Sequence, residues 1–221
     1  MNIAIYMVTH ENPEITSRVI KALYKFGGCP FDLYVVDSGS SRKMQSALSE
    51  LASDGKISHL VLSEENIGQN LAANIALESI DRHGGYDWIV CWSPDVEPKT
   101  RRSLKKLCRA ARDFVKAGVS VLLSPKVTGG KSPEAFTSSG DDIGFNYYEV
   151  DYLKGYVRVH PASFFNGFRF NQFGALASGE ALEVKDRAVE LDMPCVVIEN
   201  VKCRHLGDEA DFVGRFIGYG L

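Results

Sequence analysis

Five short apolar runs, each separated from the next by a helix-length spacer, set the narrowest limit on what this chain can fold into. The runs are Ile3–Val8, Phe31–Val36, Ile57–Leu62, Tyr86–Trp92 and Val119–Leu123. In the first spacer Ile15, Val19, Ile20, Leu23 and Phe26 recur at helical spacing. That helix is entered at Asn12-Pro13-Glu14 and stopped by Gly27-Gly28. Further helices are expected over Met44–Leu51, from Gly68 to Ile80, and from Thr100 to Lys116. Continuous apolar strands joined through helices imply βαβ units and a mainly parallel, doubly wound sheet flanked by helices.

The last third reads differently. Residues 124–146 are rich in Gly, Ser, Pro and Asp and suggest a functional loop. Tyr147–His160 alternates around Gly155, which predicts an antiparallel hairpin. A helix over Leu176–Leu191, a strand Cys195–Ile198, a short strand to Arg204 and a closing helix over Asp211–Tyr219 complete the expectation. One domain over 1–221 is the economical reading, with an α/β part over residues 1–123 and a smaller, mixed part over 124–221.

Composition removes several function classes. A chain of 221 residues buries enough surface for one core without disulfide or metal staples. A net charge of −3 lacks the overall basic footprint of a dedicated nucleic-acid binder. No apolar run is long enough to span a bilayer, and Met1–Val8 reads as a strand rather than a signal peptide. The five cysteines are scattered and form no C-x-x-C pair, which points to reduced thiols and an intracellular, cytoplasmic setting.

In an open α/β sheet, ligands bind at the carboxyl ends of the strands. Thr9, His10 and Glu11 follow the first strand, and Asp37 and Ser38 the second. Glu64, Glu65, Asn66 and Gly68 follow the third, and Ser93, Pro94 and Asp95 the fourth. There is no G-x-G-x-x-G after the first strand and no G-x-x-x-x-G-K-[ST] anywhere, so the usual dinucleotide fold and the P-loop are unsupported. Strand-end acids suit ribose hydroxyls or a hard divalent cation.

Four segments together resemble inverting family 2 glycosyltransferases of the GT-A fold. They are Val35-Val36-Asp37-Ser38-Gly39-Ser40, Asn66-Ile67-Gly68 with Ala72-Ala73-Asn74, Trp92-Ser93-Pro94-Asp95, and a C-terminal pattern from Arg187-Ala188 to His205-Leu206-Gly207. The third is similar to the "NPD" form of rhamnosyltransferase-like members. The resemblance implies a GT-A-like domain that moves a hexosyl or deoxyhexosyl group from a nucleotide-diphosphate donor, UDP first, to a hydroxyl acceptor with inversion. It implies that Thr9, Glu11, Asp37, Ser38, Asn66, Gly68, Asn74 and Ser93 line the donor site. Asp95, with His205 as second ligand, would hold Mn²⁺ or Mg²⁺ as a Lewis acid on the diphosphate. Where the family places its base aspartate this chain has Ala181, so Glu180 is the first candidate base, with Glu183 and Asp142 behind it. The implied acceptors are a glycan, a protein-linked or lipid-linked glycan, or modified DNA.

Blander readings sit beside these. Asp37 fits a turn cap, Asp95 a helix-terminal acid, Glu180 and His205 ordinary surface groups. Ser93 in place of the first D-x-D acid, with Ala181, keeps open a nucleotide-sugar-binding module without turnover. A nucleotidyltransferase shares strand-end acids, but Thr9–Pro13 is not the Gly-rich basic loop it needs. Eight Lys and Arg lie between Lys99 and Lys116. They fit a solvated helix face, or a contact with an anionic membrane surface, a polyanionic acceptor or DNA.

Overall fold

Successive residues of a strand point to opposite faces of its sheet, and both faces here are apolar, so helices must cover both. The computed structural model describes residues 1–129, 138–140, 144–171 and 180–207. Its first half is β1 (Ile3–Thr9), α1 (Pro13–Phe26), β2 (Asp32–Asp37), α2 (Arg42–Ser53), β3 (His59–Leu62), α3 (Gln69–His83) and β4 (Trp88–Trp92). Then follow β5 (Val96–Pro98), α4 (Ser103–Lys116), β6 (Leu122–Thr128), β7 (Ser138–Gly140), β8 (Tyr147–Val150) and β9 (Val157–Pro161). A 3-10 turn (Ala162–Phe165), α5 (Glu180–Glu190) and β10 (Cys195–His205) complete the described part.

All ten strands join one sheet in the order β3-β2-β1-β4-β9-β6-β10-β8-β7, with β5 on β10. Strands β1 to β4 are parallel. β9 enters antiparallel to both β4 and β6, and beyond it β10 runs parallel to β6. Ile3, Ile5, Met7, Leu33, Val35 and Val90 face α1, α2 and α4. The alternate residues Ala4, Tyr6, Tyr34, Val36 and Cys91 face α3, α5 and the 3-10 turn. Ala72, Ala73 and Ala76 let α3 approach the sheet closely.

Several expectations for the last third are corrected. The stretch from Tyr147 to His160 is not a hairpin: β8 pairs with β10 and β7, while β9 pairs with β4 and β6. The alternation was real, but each half found a distant partner that buries it better. The region read as a polar loop contains β6 up to Thr128 and β7. The two strands expected after Pro194 are one, β10, with an irregularity between Ile198 and Lys202 that re-aims its last residues. The start expected for α5 and the closing helix over Asp211–Tyr219 lie outside the described residues.

Four of the five cysteines are buried and Cys29 is partly so, all as free thiols. Burial pushes Cys91 and Cys195 up to about 11, the environment of inert thiols.

β9 carries two inward polar residues, Arg158 and His160, both fully buried. His160 Nδ1 lies 3.2 Å from the Ile89 carbonyl, and its ring packs on Phe164 and Phe165. Burial, reinforced by the Arg158 charge, pushes its pKa down to about 3. A histidine held neutral in the fold charges freely in the unfolded chain near pH 6.5. Its contribution is therefore complete above about pH 6.5 and drains away as pH falls towards 3, at about 1.4 kcal/mol per pH unit. Urea unfolding should show a loss of about 2 kcal/mol between pH 7 and pH 5, with a flatter profile in His160→Leu. A wild-type midpoint unchanged over that interval would contradict the assignment.

Candidate active site

The chain leaves β1 through two consecutive left-handed residues, Glu11 and Asn12, both at φ 58°. Such conformations cost of order 1–3 kcal/mol each and persist only where neighbours hold them. Here the β2–α2 turn holds Glu11. Ser41 donates to the Glu11 carboxylate from its N–H at 2.6 Å and its hydroxyl at 2.8 Å, and the Glu11 N–H donates to Ser40 Oγ at 2.8 Å. Pro13 then starts α1 with φ already set.

Asp37 is the centre of this knot. It is fully buried and accepts hydrogen bonds from Thr9 Oγ1 at 3.0 Å, the Ser40 N–H at 3.0 Å and Ser40 Oγ at 2.5 Å. The His10 ring reaches the Ser38 carbonyl at 2.7 Å. The buried Ser38 hydroxyl donates to Asn66 Oδ1 at 2.9 Å and accepts from the Ile67 N–H at 3.0 Å. Asn66 Oδ1 also accepts from the Gly68 N–H at 3.0 Å, closing the turn into α3. A Cβ on Gly39 would come within 2.3 Å of the Glu65–Asn66 peptide, so only glycine lets the two loops touch. Thr9, Glu11, Asp37, Ser38, Asn66 and Gly68 are thus brought together as one shelf across the ends of β1, β2 and β3. Within it the Asp37 carboxylate is committed to loop hydrogen bonds, the geometry of the capping reading.

Asp95 and His205 form the second group. β5 pairs antiparallel with the end of β10, setting His205 opposite Val96 and hence beside Asp95. Asp95 Oδ2 lies 3.1 Å from His205 Nε2, and Asp95 Oδ1 accepts from Ser93 Oγ at 2.5 Å. Burial raises the carboxyl pKa, but the hydrogen bonds from His205 and Ser93 outweigh it and hold the group below its usual value. A Cβ on Gly207 would fall 2.4 Å from the His205 ring, so a larger residue there would push the ring from its present place. The Asp95–His205 spacing suits two ligands at a right angle about 2.1 Å from a divalent ion. Among the described residues no group of three or more His, Cys, Asp or Glu could hold an ion. Any cation here would have to take its remaining ligands from outside this pair.

Glu180, the first candidate base, is engaged in the fold. It opens α5 at 5% exposure and is ion-paired with the fully buried Arg158. Gln69 donates to its second oxygen, and Tyr6 lies at 3.5 Å. Tyr6, Cys91 and Arg158 are cross-strand neighbours on β1, β4 and β9, so the carboxylate caps a buried polar row. A base so engaged cannot meet an acceptor hydroxyl without stranding Arg158. Glu183 is likewise committed, accepting from the Asn171 N–H at 2.6 Å and Asn70 Nδ2 at 3.1 Å. Asn74 is 3% exposed, and both ends of its amide pair with the Phe170 backbone, at 2.8 and 2.9 Å. Asp142 lies outside the described residues.

Arg158 and Gln69 escaped the sequence reading. Arg158 left a signal: a cation between Val157 and Val159 on a strand whose next inward residue is His160 points into the core. Gln69 left none.

Between the shelf and Asp95 lies a narrow crevice of about 10 Å³, lined by His10, Glu11, Asn12, Pro94, Asp95 and Gly207 among others. An open groove of about 660 Å³ lies elsewhere, between α1 and α2. Two of its cations are paired in place, Arg18 with Glu97 at 2.8 Å and Lys43 with Glu14 at 2.5 Å, while Lys21 and Lys25 are exposed, and it lies away from the carboxyl ends of β1 to β4.

Removing the Asp37 carboxylate should therefore cost stability. Asp37→Ala strands three donors, a loss of about 3 kcal/mol. For a chain of this size that lowers Tm by roughly 6–12 °C. A thermal melt within 2 °C of wild type, an interval of about half a kcal/mol, would remove Asp37 from its anchoring role.

No protein-family model matches the chain, and no curated protein does. Solved structures do. S. aureus TarS 1-349 superposes with a TM-score of 0.68 at 15% identity, over 95% of this chain and 61% of that one. The mannosyltransferase PcManGT from Pyrobaculum calidifontis, in complex with GDP-Man and Mn²⁺, gives 0.67 at 14%, over 96% and 59%. GalNAc-T7 with UDP, GalNAc and Mn²⁺ gives 0.71 at 11%, over 93% and 44%. This chain thus spans less than two thirds of each. These likenesses establish the fold: a central sheet flanked by helices, as in GT-A glycosyltransferases.

Proposed function

We propose that this protein is an inverting, family 2, rhamnosyltransferase-like glycosyltransferase that takes a UDP-sugar and transfers its hexosyl or deoxyhexosyl group to a hydroxyl acceptor. The observation that carries the reading is the Asp95–His205 pair set beside the shelf of strand-end loops. In an open α/β sheet that edge is where ligands bind. TarS 1-349 with UDP and with UDP-GlcNAc, and PcManGT with GDP-Man and Mn²⁺, share the fold and support a nucleotide-sugar donor here.

In this reading the shelf of Thr9, Glu11, Ser38, Asn66 and Gly68 underlies base and ribose, and Asp37 keeps that shelf rigid. Asp95 and His205 hold Mn²⁺ or Mg²⁺, which supplies Lewis-acid stabilisation of the departing diphosphate. The acceptor hydroxyl needs a carboxylate base, typically worth about 10²–10⁴-fold. With Glu180 and Glu183 committed to the fold, Asp142 is the acid left of the three. The acceptor is a glycan, free or protein- or lipid-linked, or a modified DNA base. Ala181 and Ser93 favour a second reading, a module that binds the donor without turnover. Donor hydrolysis separates them, since slow sugar release marks an enzyme.

UDP with Mn²⁺ at a hundred times Kd should stabilise the protein by about 2.7 kcal/mol, a Tm rise of roughly 5–10 °C. Asp95→Asn should abolish the Mn²⁺-dependent part of that rise. Equal shifts in both proteins would contradict metal holding by Asp95. For transfer, Asp142→Asn should cut the rate at least about 100-fold with donor affinity retained. Glu180→Gln should instead act on stability, by about 3–5 kcal/mol, because it strands the buried Arg158. Wild-type transfer in Asp142→Asn would refute that base.

A further inference from the structure

We propose that the face formed by α1 and α4 docks electrostatically on an anionic phospholipid bilayer. The inference stands apart from the transfer reaction, since it rests on where the charges lie. The segment Lys99–Lys116 holds eight basic residues and one acid, Asp113, in a chain of net charge −3. Outside it, 17 basic residues face 27 acidic ones, so the positive charge is concentrated rather than spread.

Folding sharpens the asymmetry. The apolar side of α4, with Leu104, Leu107, Cys108 and Ala111, is buried against the sheet. Arg101, Arg102, Lys105, Arg109, Arg112 and Lys116 are left in water. Asp113 engages Arg109, Arg112 and Lys116 at 3.5–3.9 Å. Arg101, Arg102, Lys105 and Lys106 have no carboxylate partner among the described residues. No acid occupies the first turn of α4, so these cations crowd the positive end of its dipole, an unfavourable arrangement that facing anions would relieve.

α1 extends the patch. The Lys105 N–H donates to the Gly27 carbonyl at 3.0 Å, joining the start of α4 to the end of α1. Exposed Lys21 and Lys25 therefore lie on the same layer as α4. The same two helices also carry exposed apolar side chains, Tyr24 on α1 and Val115 on α4, with Val119 just past its end, at 41–47% exposure. Apolar groups amid cations suit the headgroup–acyl boundary of a bilayer and gain nothing from a phosphodiester backbone. The junction of α1 and α4 lies at the far end of α1 from the crevice, about 21 Å along a helix of 14 residues. The patch is thus an anchor that leaves the strand-end edge clear.

Co-sedimentation of the full chain at 50 mM NaCl with phosphatidylcholine vesicles containing 30% phosphatidylglycerol tests this. Binding should appear with those vesicles, be absent with pure phosphatidylcholine, and vanish at 0.5 M NaCl. The quadruple reversal Arg101→Glu, Arg102→Glu, Lys105→Glu, Lys106→Glu should lose at least about 100-fold in partition. Arg82→Glu on α3, across the sheet, should bind as wild type. Circular dichroism and the UDP-induced Tm shift identify a quadruple variant that has merely misfolded. In that event Lys21→Glu with Lys25→Glu takes its place, with a loss of at least about 10-fold expected. No binding to the anionic vesicles, equal binding by the reversed variant that folds, or tighter binding to a 30-base-pair duplex DNA at the same salt would overturn the proposal.

Discussion

Asp37 ends β2 with its carboxylate wholly out of water, and the bonds it accepts come from residues at the strand ends. A buried carboxylate is tolerable only when it is hydrogen-bonded, so the surrounding donors have little freedom. Thr9 at the end of β1 and Ser40 in the next turn are fixed directly. Glu11, with left-handed Asn12 next to it, is held in left-handed backbone through Ser40 and Ser41. Ser38 passes the constraint on to Asn66 and the start of α3. Loops that would otherwise be the softest part of an α/β fold are thereby set as one surface before any ligand arrives, which lowers the ordering cost of binding.

A second buried charge organises the other side of the sheet. The Arg158–Glu180 pair joins β9, the strand that reverses the sheet, to the first turn of α5. Arg158 Nε and Nη1 are buried without a hydrogen-bond partner among the described residues, so the pair is costly as well as cohesive. Its effect is positional: α5 and the segment clamped by Asn70, Asn74 and Glu183 are held against α3. An acid in the sequence segment expected to do chemistry is used for architecture.

The parallel half was legible because its signals are local. Apolar runs of strand length, Pro13 at a helix start and Gly27-Gly28 at its end each state their structure within a few residues. The strand-end positions of Asp37 and Asp95 followed from that pattern alone. What failed depends on distant partners. Alternation in Tyr147–His160 fixes which residues face inward but not which strand they meet, so a hairpin was expected where β8 and β9 separate. The packing partners of Glu180, Glu183 and Asn74 were illegible for the same reason, since each lies far away in the chain: Arg158, the Asn171 peptide and the Phe170 peptide. Spacing can place a carboxylate on a helix, but not the arginine that neutralises it.

The account turns on a nucleotide occupying the carboxyl edge of β1, β2 and β4. Titrating UDP with Mg²⁺ into ¹⁵N-labelled protein tests this most directly. Amide shifts are expected at residues 9–12, 37–41, 66–68, 93–96 and 205–207, with the α1–α2 groove silent. Shifts concentrated instead around Glu14, Arg18, Lys21 and Lys43, which line that groove, would contradict it.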